Sequence, residues 1–272
     1  MTKWSPDPAW LAGLRASASQ LPLRARVPLW AGDAVIGSVE PEFLSQIASK
    51  PIRGLRGTLQ KVECDGALGW RLAGDVTAGL DALARALQEA GLAHVWRNEQ
   101  LAVTDEAGVR LGTVERAVVR PLGIATQAVH LVGAARNGRV WVQQRALDKP
   151  NDPGLWDTLM GGMIAATDTR QQALVRETWE EAGLALAALQ DVAHGGRVSL
   201  RRPSADGQGA GYLVEHIDWY HCTVPEGQAP VNQDGEVARF ALLDQRELLS
   251  KMQRGEFTLE AALILAAWFE SL

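Results

Sequence analysis

Glu177, Glu180 and Glu181 fall within five residues, in the stretch RETWEEAGL. On a helix, positions i, i+3 and i+4 share a face, and like charges at those spacings cost about 0.2–0.5 kcal/mol per pair. The repulsion disappears where positive charge stands in front of the face. Carboxylates on a rigid helix form a hard oxygen site suited to Mg²⁺ or Mn²⁺, and no Cys lies nearby to suggest structural zinc. Such ions also bind phosphate oxygens, polarise a diphosphate and lower the pKa of an attacking water. Gly161 and Gly162 precede the run and allow the backbone to turn tightly and approach such an assembly closely. Gly183 ends it.

The elements that must hold these residues are legible from pattern. Thr169-x-x-Gln172 fits a capping box for the acidic helix, with Asp168 or Thr167 as competing caps, and Leu174, Thr178 and Ala182 are expected to face the core. Upstream, AVHLVGAARNGRVWVQQR reads as a hairpin, with Asn137-Gly138 supplying a type I′ turn. LDKPNDPG reads as a loop and LWDTLMGGMIA as a strand pair. YLVEHIDWYHCTV and EVARFALL read as strands, Asp244-x-x-Glu247 opens a helix, and an apolar carboxyl-terminal helix is expected to dock on the sheet. RVSLRRPS, Arg197 to Ser204, is expected to be a loop with a solvated or phosphate-steering surface.

The first half carries no catalytic motif. Alternation around Gly32-Asp33 predicts a hairpin followed by a short helix near Pro41. Leu80, Leu83, Ala84 and Leu87 form a helical stripe, with Thr77 as N-cap and Gly91 just past the end. LAVTDEAGVRLGTVERAV reads as two strands joined at Ala107-Gly108 and running into a short helix. This is a small α+β domain over 1–120, joined near RPLGIATQ to a second domain over 121–272.

The 272 residues carry 47% hydrophobic and 22% charged side chains, so a soluble protein with real cores is expected. A net charge of −5 gives no global attraction to nucleic acid or anionic membranes. Cys64 and Cys222 have no metal-ligand spacing, the amino terminus lacks the apolar core of a secretory signal, and the run LEAALILAAWF is too short to span a bilayer. A cytoplasmic location is the default. Most of the ten tryptophans are expected to serve as packing residues.

GMIAATDTRQQALVRETWEEAGL, Gly162 to Leu184, resembles the Nudix box. The match covers Gly162, Arg176, Glu177, Glu180, Glu181, Gly183 and Leu184, while Asp168 replaces the box's first Glu and Thr178 an apolar residue. The resemblance implies a Nudix α/β/α sandwich with a mixed sheet, preceded here by the small α+β domain. It implies metal ligation by Glu177, Glu180 and Glu181, and an Arg176 that ties helix to loop through carboxylates. It makes Glu236 a candidate to complete metal binding or to act as general base, against a plain turn-end carboxylate.

Arg145, Asp157, Gly161 and Gly162 are the candidate substrate-binding positions, with Lys149 weaker; Asp234 reads as turn chemistry, His130 as a structural histidine and Trp156 as core. ERAVVRPLGIATQAVHLVG, DKPNDPGLWDTLMGGMIA and PVNQDGEVARFALL resemble a Nudix subgroup that carries an amino-terminal domain of unknown function and is related to the Nudix portion associated with thiamine pyrophosphokinase. That implies Mg²⁺-dependent hydrolysis of a small organic diphosphate, thiamine diphosphate or its damaged analogues first and ADP-ribose-type compounds second. Non-catalytic diphosphate binding is the competing class. The amino-terminal domain would set specificity or support a homodimer.

Overall fold

The computed structural model describes residues 5–48, 57–64 and 66–272. Its first helix, α1 (Pro8–Ser17), starts from an Asp7 cap, with Pro8 at the first helical position, where no N–H is needed. β1 (Val27–Ala31) and β2 (Ala34–Val39) form the expected hairpin, and α2 (Ser45–Ala48) follows a turn. β3 (Leu59–Cys64) and β4 (Ala67–Leu72) complete a four-stranded sheet in the order β2-β1-β4-β3. α3 (Val76–Glu89) buries Leu80, Leu83, Ala84 and Leu87 as the stripe requires. Its cap is Asp75, whose carboxylate accepts from Ala78 N, and not Thr77. Thr77 Oγ1 instead accepts from Thr113 N, on the hairpin of β5 (Gln100–Thr104) and β6 (Arg110–Glu115).

The second core surrounds a seven-stranded mixed sheet. Its path is β11 (Gln190–Ser204), β12 (Gly211–Val224), β7 (Thr126–Ala135), β8 (Val140–Arg145) and β13 (Val237–Leu243). β12 runs parallel to β7 and the other pairs are antiparallel, so the sheet is mixed. β9 (Trp156–Asp157) pairs with β8, and β10 (Met160–Met163) with β7. These two do not pair with each other, contrary to the pattern reading. β7 and β8 share only the Gly133↔Trp141 and Ala134↔Val140 pairs, and β9 and β10 pair along the strands where the two part. Gly138 has φ 79°, while Asn137 is not left-handed, so the β7–β8 turn is not type I′. Arg197–Ser204 is strand, not loop, because it continues the fifteen-residue β11.

Helices cover both faces. α4 (Arg170–Ala182) lies over Val129, Leu131, Leu159 and Met160. α5 (Gln245–Gln253) and α6 (Leu259–Ser271) lie over Val132, Val142, Ile217 and Trp219. This is the expected sandwich. α1 joins the second core through Trp10, Leu11 and Leu14, and Arg15 pairs with Glu270 at 2.6 Å. Among the described residues no helix is long and apolar enough to cross a membrane.

β5 and β6 form a separate small two-stranded sheet, which touches the segment between β10 and α4. Ala166 N donates to Gln100 O at 2.7 Å, Leu101 bridges Ala165, and Arg110 Nη1 donates to Ala166 O at 2.7 Å. The β5–β6 hairpin therefore grips the segment that enters α4.

Glu260, in the first turn of α6, lies where a helix dipole favours a carboxylate. Burial, and then Glu215 nearby, nevertheless push it from 4.5 to about 7. A group that holds its proton more tightly when folded makes stability fall as pH rises from its unfolded to its folded pKa. Denaturant unfolding of wild type should therefore lose stability between about pH 4.5 and 7, and Glu260→Gln should flatten that part of the profile. An unchanged slope in the variant would exclude Glu260 as its source.

Candidate functional site

The acidic helix is fixed at both ends. Thr169 Oγ1 accepts from Gln172 N while the Gln172 side chain accepts from Thr169 N, the reciprocal capping box. At the other end Gly183 takes φ 62°, the left-handed conformation that glycine adopts without steric cost. Thr178 is fully buried, and its hydroxyl donates to Leu174 O at 2.6 Å, so the polar atom in an apolar position is satisfied.

Arg176 ties the helix to its leading loop. Its Nε donates to Asp168 Oδ2 at 2.9 Å, and its Nη1 to Glu177 Oε1 and Glu180 Oε2, each at 2.9 Å. The shorter Asp168 side chain thus reaches the guanidinium. Three carboxylates on one cation outweigh the cost of its partial burial and raise its pKa further.

Glu181 is 2% exposed. Gly161 N–H donates to its Oε2 at 2.9 Å, and Gln143 Nε2 to the same oxygen at 2.8 Å. Lys149 Nζ stands 3.9 Å from its Oε1 and in direct contact with Glu236 Oε2. Burial pushes Glu181 up to about 8 and Glu177 up to about 7, although Lys149 and Arg176 respectively oppose it. Glu236 goes the other way. Its own partial burial would raise it, but the Lys149 ammonium, with Arg116 and Arg97 beyond, outweighs this and lowers it.

The glycine pair sits between two side chains. A Cβ at Gly161 would overlap the His130 ring, and one at Gly162 the Glu177 carboxylate. His130 is itself internal. Its Nδ1 lies 2.9 Å from Thr158 Oγ1 and 3.6 Å from Asp157 Oδ1, and burial lowers its pKa, which keeps it neutral.

Two expected substrate contacts are taken up elsewhere. Arg145 Nη1 lies 3.5 Å from Asp157 Oδ2, and the same guanidinium donates to Asn151 O. Asp157 Oδ1 accepts from Thr158 N at 2.8 Å. This pair braces the loop after β8. Arg197 is likewise taken, by Asp218, which also receives Arg170 at 2.8 Å. Asp234 is turn chemistry, as read: its carboxylate accepts from Glu236 N.

Among the described residues no three His, Cys, Asp or Glu side chains converge closely enough to hold an ion as they stand. Positive side chains already occupy the carboxylates. Arg176 joins Glu177 to Glu180, and Lys149 lies beside Glu181 and Glu236. The donor set is all hard oxygen, and Gln143 Oε1 is a buried acceptor with no partner. The chemistry therefore suits a divalent cation, with Lys149 standing in as its positive charge.

Gln143 escaped the sequence reading because RVWVQQR gives no spacing that separates it from Gln144. Also missed was a cleft where the segments flanking the β5–β6 hairpin meet β10 and the loop after β8, lined by His94, Arg97, Arg116, Arg120, Asn151 and Met163. Its basic residues come from a half of the chain that holds no motif.

A family model, NUDIX domain, matches residues 125–264, just over half of the chain. The chain belongs to the NUDIX family. Nudix hydrolase 20, chloroplastic, from Arabidopsis thaliana is 30% identical over 148 residues, 53% of this chain and 38% of that protein. The isopentenyl-diphosphate Delta-isomerase of Streptomyces coelicolor is 31% identical over 171 residues, 62% of this chain and 79% of that protein. The crystal structure of DR0079 from Deinococcus radiodurans superposes with a TM-score of 0.50 at 21% identity, covering 62% of this chain and 99% of that one. It shares the fold. The chain spans less than two thirds of the length of the yeast and Arabidopsis relatives that it matches. The NUDIX match takes in all of α4, the glycine pair and Glu236, and begins after the arginines of the amino-terminal side of the cleft.

Gly162→Ala places a methyl group where the Glu177 carboxylate lies. Overpacking of this kind typically costs about 1–3 kcal/mol. A thermal or urea unfolding curve should show that loss in the metal-free variant. Wild-type stability would mean that Glu177 moves aside freely and is not fixed by the glycine.

Proposed function

We propose that the protein is a divalent-metal-dependent hydrolase that cleaves the pyrophosphate bond of a small organic diphosphate. The observation that carries this reading is the burial of Glu177 and Glu181 against the Gly161–Gly162 backbone inside the NUDIX-matched region. Burying two carboxylates is costly unless cations compensate them, and a diphosphate brings such cations with it.

Glu177, Glu180 and Glu181 would hold the metal, with Gln143 beside Glu181 and Glu236 at the edge. When bound, Mg²⁺ or Mn²⁺ neutralises the diphosphate and acidifies a water. Arg176 keeps Glu177 and Glu180 in register with the loop at Asp168. One of Glu177, Glu181 or Glu236 accepts the proton of the attacking water. Water attacks one phosphorus, the bridging P–O bond breaks, and the products are an organic monophosphate and phosphate. Lys149, which stands beside Glu181 and Glu236, would be available to the departing phosphoryl oxygen once those carboxylates held a cation.

Thiamine diphosphate and its oxidised analogues are the first candidates, because of the subgroup resemblance of the junction, loop and late-strand segments. ADP-ribose-type compounds come second. The isomerase relative favours one further reading, in which an isoprenoid diphosphate is bound and its double bond is shifted with no loss of phosphate. The charged cleft argues for a polar organic group over a hydrocarbon tail.

Purified protein with Mg²⁺ should release phosphate from one of thiamine, oxothiamine, oxythiamine or isopentenyl diphosphate, or AMP and ribose 5-phosphate from ADP-ribose. Glu180→Gln and Glu181→Gln should lower the rate by more than the roughly 10–100-fold typical of losing a supporting contact. Solvent deuterium entering isopentenyl diphosphate with no phosphate release would establish the isomerase reading instead. Full turnover by both variants would remove these glutamates from the metal site.

A further inference from the structure

The cleft beside the β5–β6 hairpin is unusual in charge. The whole chain carries −5, yet His94, Arg97, Arg116 and Arg120 gather along one wall against a single carboxylate, Asp206. Asp206 serves only part of this set: its Oδ1 lies 3.0 Å from His94 Nδ1 and its Oδ2 3.5 Å from Arg120 Nη1. Arg120 also donates to Asn151 at 3.2 Å. Arg116 uses Nη1 for Glu99 at 2.7 Å. Arg97 has no hydrogen-bonded or ion-paired side-chain partner among the described residues. His94 Nε2 is buried and without a partner. The cleft is narrow, about 20 Å³, and shares His94, Arg120, Asn151 and Asp206 with a neighbouring open cavity of about 540 Å³ that reaches Arg202, Ser204 and Leu213.

The position of this wall is as informative as its charge. Met163, which lines it, follows the glycine packed on Glu177. Arg97 and Arg116 are close enough to Glu236 to act on its carboxylate electrostatically. Both are fixed to the small sheet, where Arg97 N donates to the buried Glu115 carboxylate and Arg116 N to Glu99 O. A forked guanidinium with free donors, carried on an anchored backbone near the proposed metal-binding carboxylates, has the chemistry to grip phosphate oxygens from the other side.

We propose that Arg97 and Arg116 bind the substrate's diphosphate from across the domain boundary, with its organic group running past His94 and Asn151 into the larger cavity. The substrate thereby lies with the carboxylates of α4 on one side and the amino-terminal arginines on the other. This rests on the reading of α4 as a diphosphate site but does not require that the diphosphate be cleaved. The small sheet is then part of the recognition surface, which explains why it clamps the entrance to α4 through Gln100 and Arg110.

The test is calorimetric binding of methylenediphosphonate, a diphosphate that cannot be hydrolysed at its bridge, to the full chain with Mg²⁺. It is made alongside kcat and KM for whichever panel compound is turned over. Arg97→Ala should weaken the probe by about 10–100-fold, the scale of a lost charge-assisted hydrogen bond, and should raise KM more than it lowers kcat. Arg97→Lys should recover part of the binding, and Arg116→Ala should act in the same direction. Arg85→Ala removes the same charge from a salt bridge with Asp81 on the outer face of α3, so it should bind the probe as wild type does. Arg97 has no structural partner to lose, so its variant separates recognition from folding should Arg116→Ala fail to fold. Wild-type probe affinity and KM in Arg97→Ala would overturn the proposal and leave the hydrolase reading intact. Arginine-dependent probe binding with no hydrolysis of any compound would uphold the proposal while the hydrolase reading falls. A wild-type protein that does not bind the probe overturns the proposal.

Discussion

The NUDIX-matched half of this protein is organised around a buried carboxyl group whose ionised form has to be compensated. Glu181 has almost no access to water, and it is held by one backbone N–H, one amide and a lysine at the margin of ion-pair distance. Removing a carboxylate from water costs several kcal/mol unless its lone pairs are filled and its charge is met. Each neighbouring feature follows from that demand. Gly161 must present its N–H, so the strand must come close to the helix, and a side chain at Gly162 would keep them apart. The helix must not drift, so a capping box fixes its start, a left-handed glycine fixes its end, and Arg176 fixes its middle.

How far the sequence reveals this varies with the range of the interaction. α4 was legible because caps, glutamate spacing and the buried stripe are all local to one helix. The same holds for the hairpin at Gly32-Asp33 and for the stripe of α3. Strand partners were not legible. Trp156–Asp157 and Met160–Met163 look like a hairpin in the sequence, but each pairs with a different strand because β7 and β8 splay apart. Asp75 and Thr77 are both good caps on type alone, and only the approach of the β5–β6 hairpin gives Thr77 another task. Arg197–Ser204 was misjudged for a related reason. Three arginines suggest a solvated loop, yet the strand carries them on both faces, with Arg197 on the Asp218 carboxylate.

The candidate site divides in the same way. The glutamates, Arg176 and the glycine pair announce themselves by spacing. Arg145 and Asp157 had suitable chemistry but lie 3.5 Å apart and satisfy one another. Gln143, Arg97 and Arg116 carry no motif, because their roles arise only when separate stretches of chain meet. Glu236 lies between these cases: the Asp-Gly turn predicted its place, and its neighbours Lys149, Arg97 and Arg116 came from the fold.

The bridge between Leu101 and Ala165, flanked by the Ala166–Gln100 hydrogen bond, bears on how the protein comes apart. An edge strand of the small sheet completes its pairing with the residues that lead into the acidic helix. Local opening of that edge strips a hydrogen bond from the segment that sets the helix entry. Opening of the helix entry in turn leaves the strand edge bare to water. The two halves have separate cores but a common weak point. Hydrogen exchange at Gln100 to Thr104 and at Ala165 to Asp168 therefore belongs to one cooperative unit, and a ligand that quiets one stretch quiets the other.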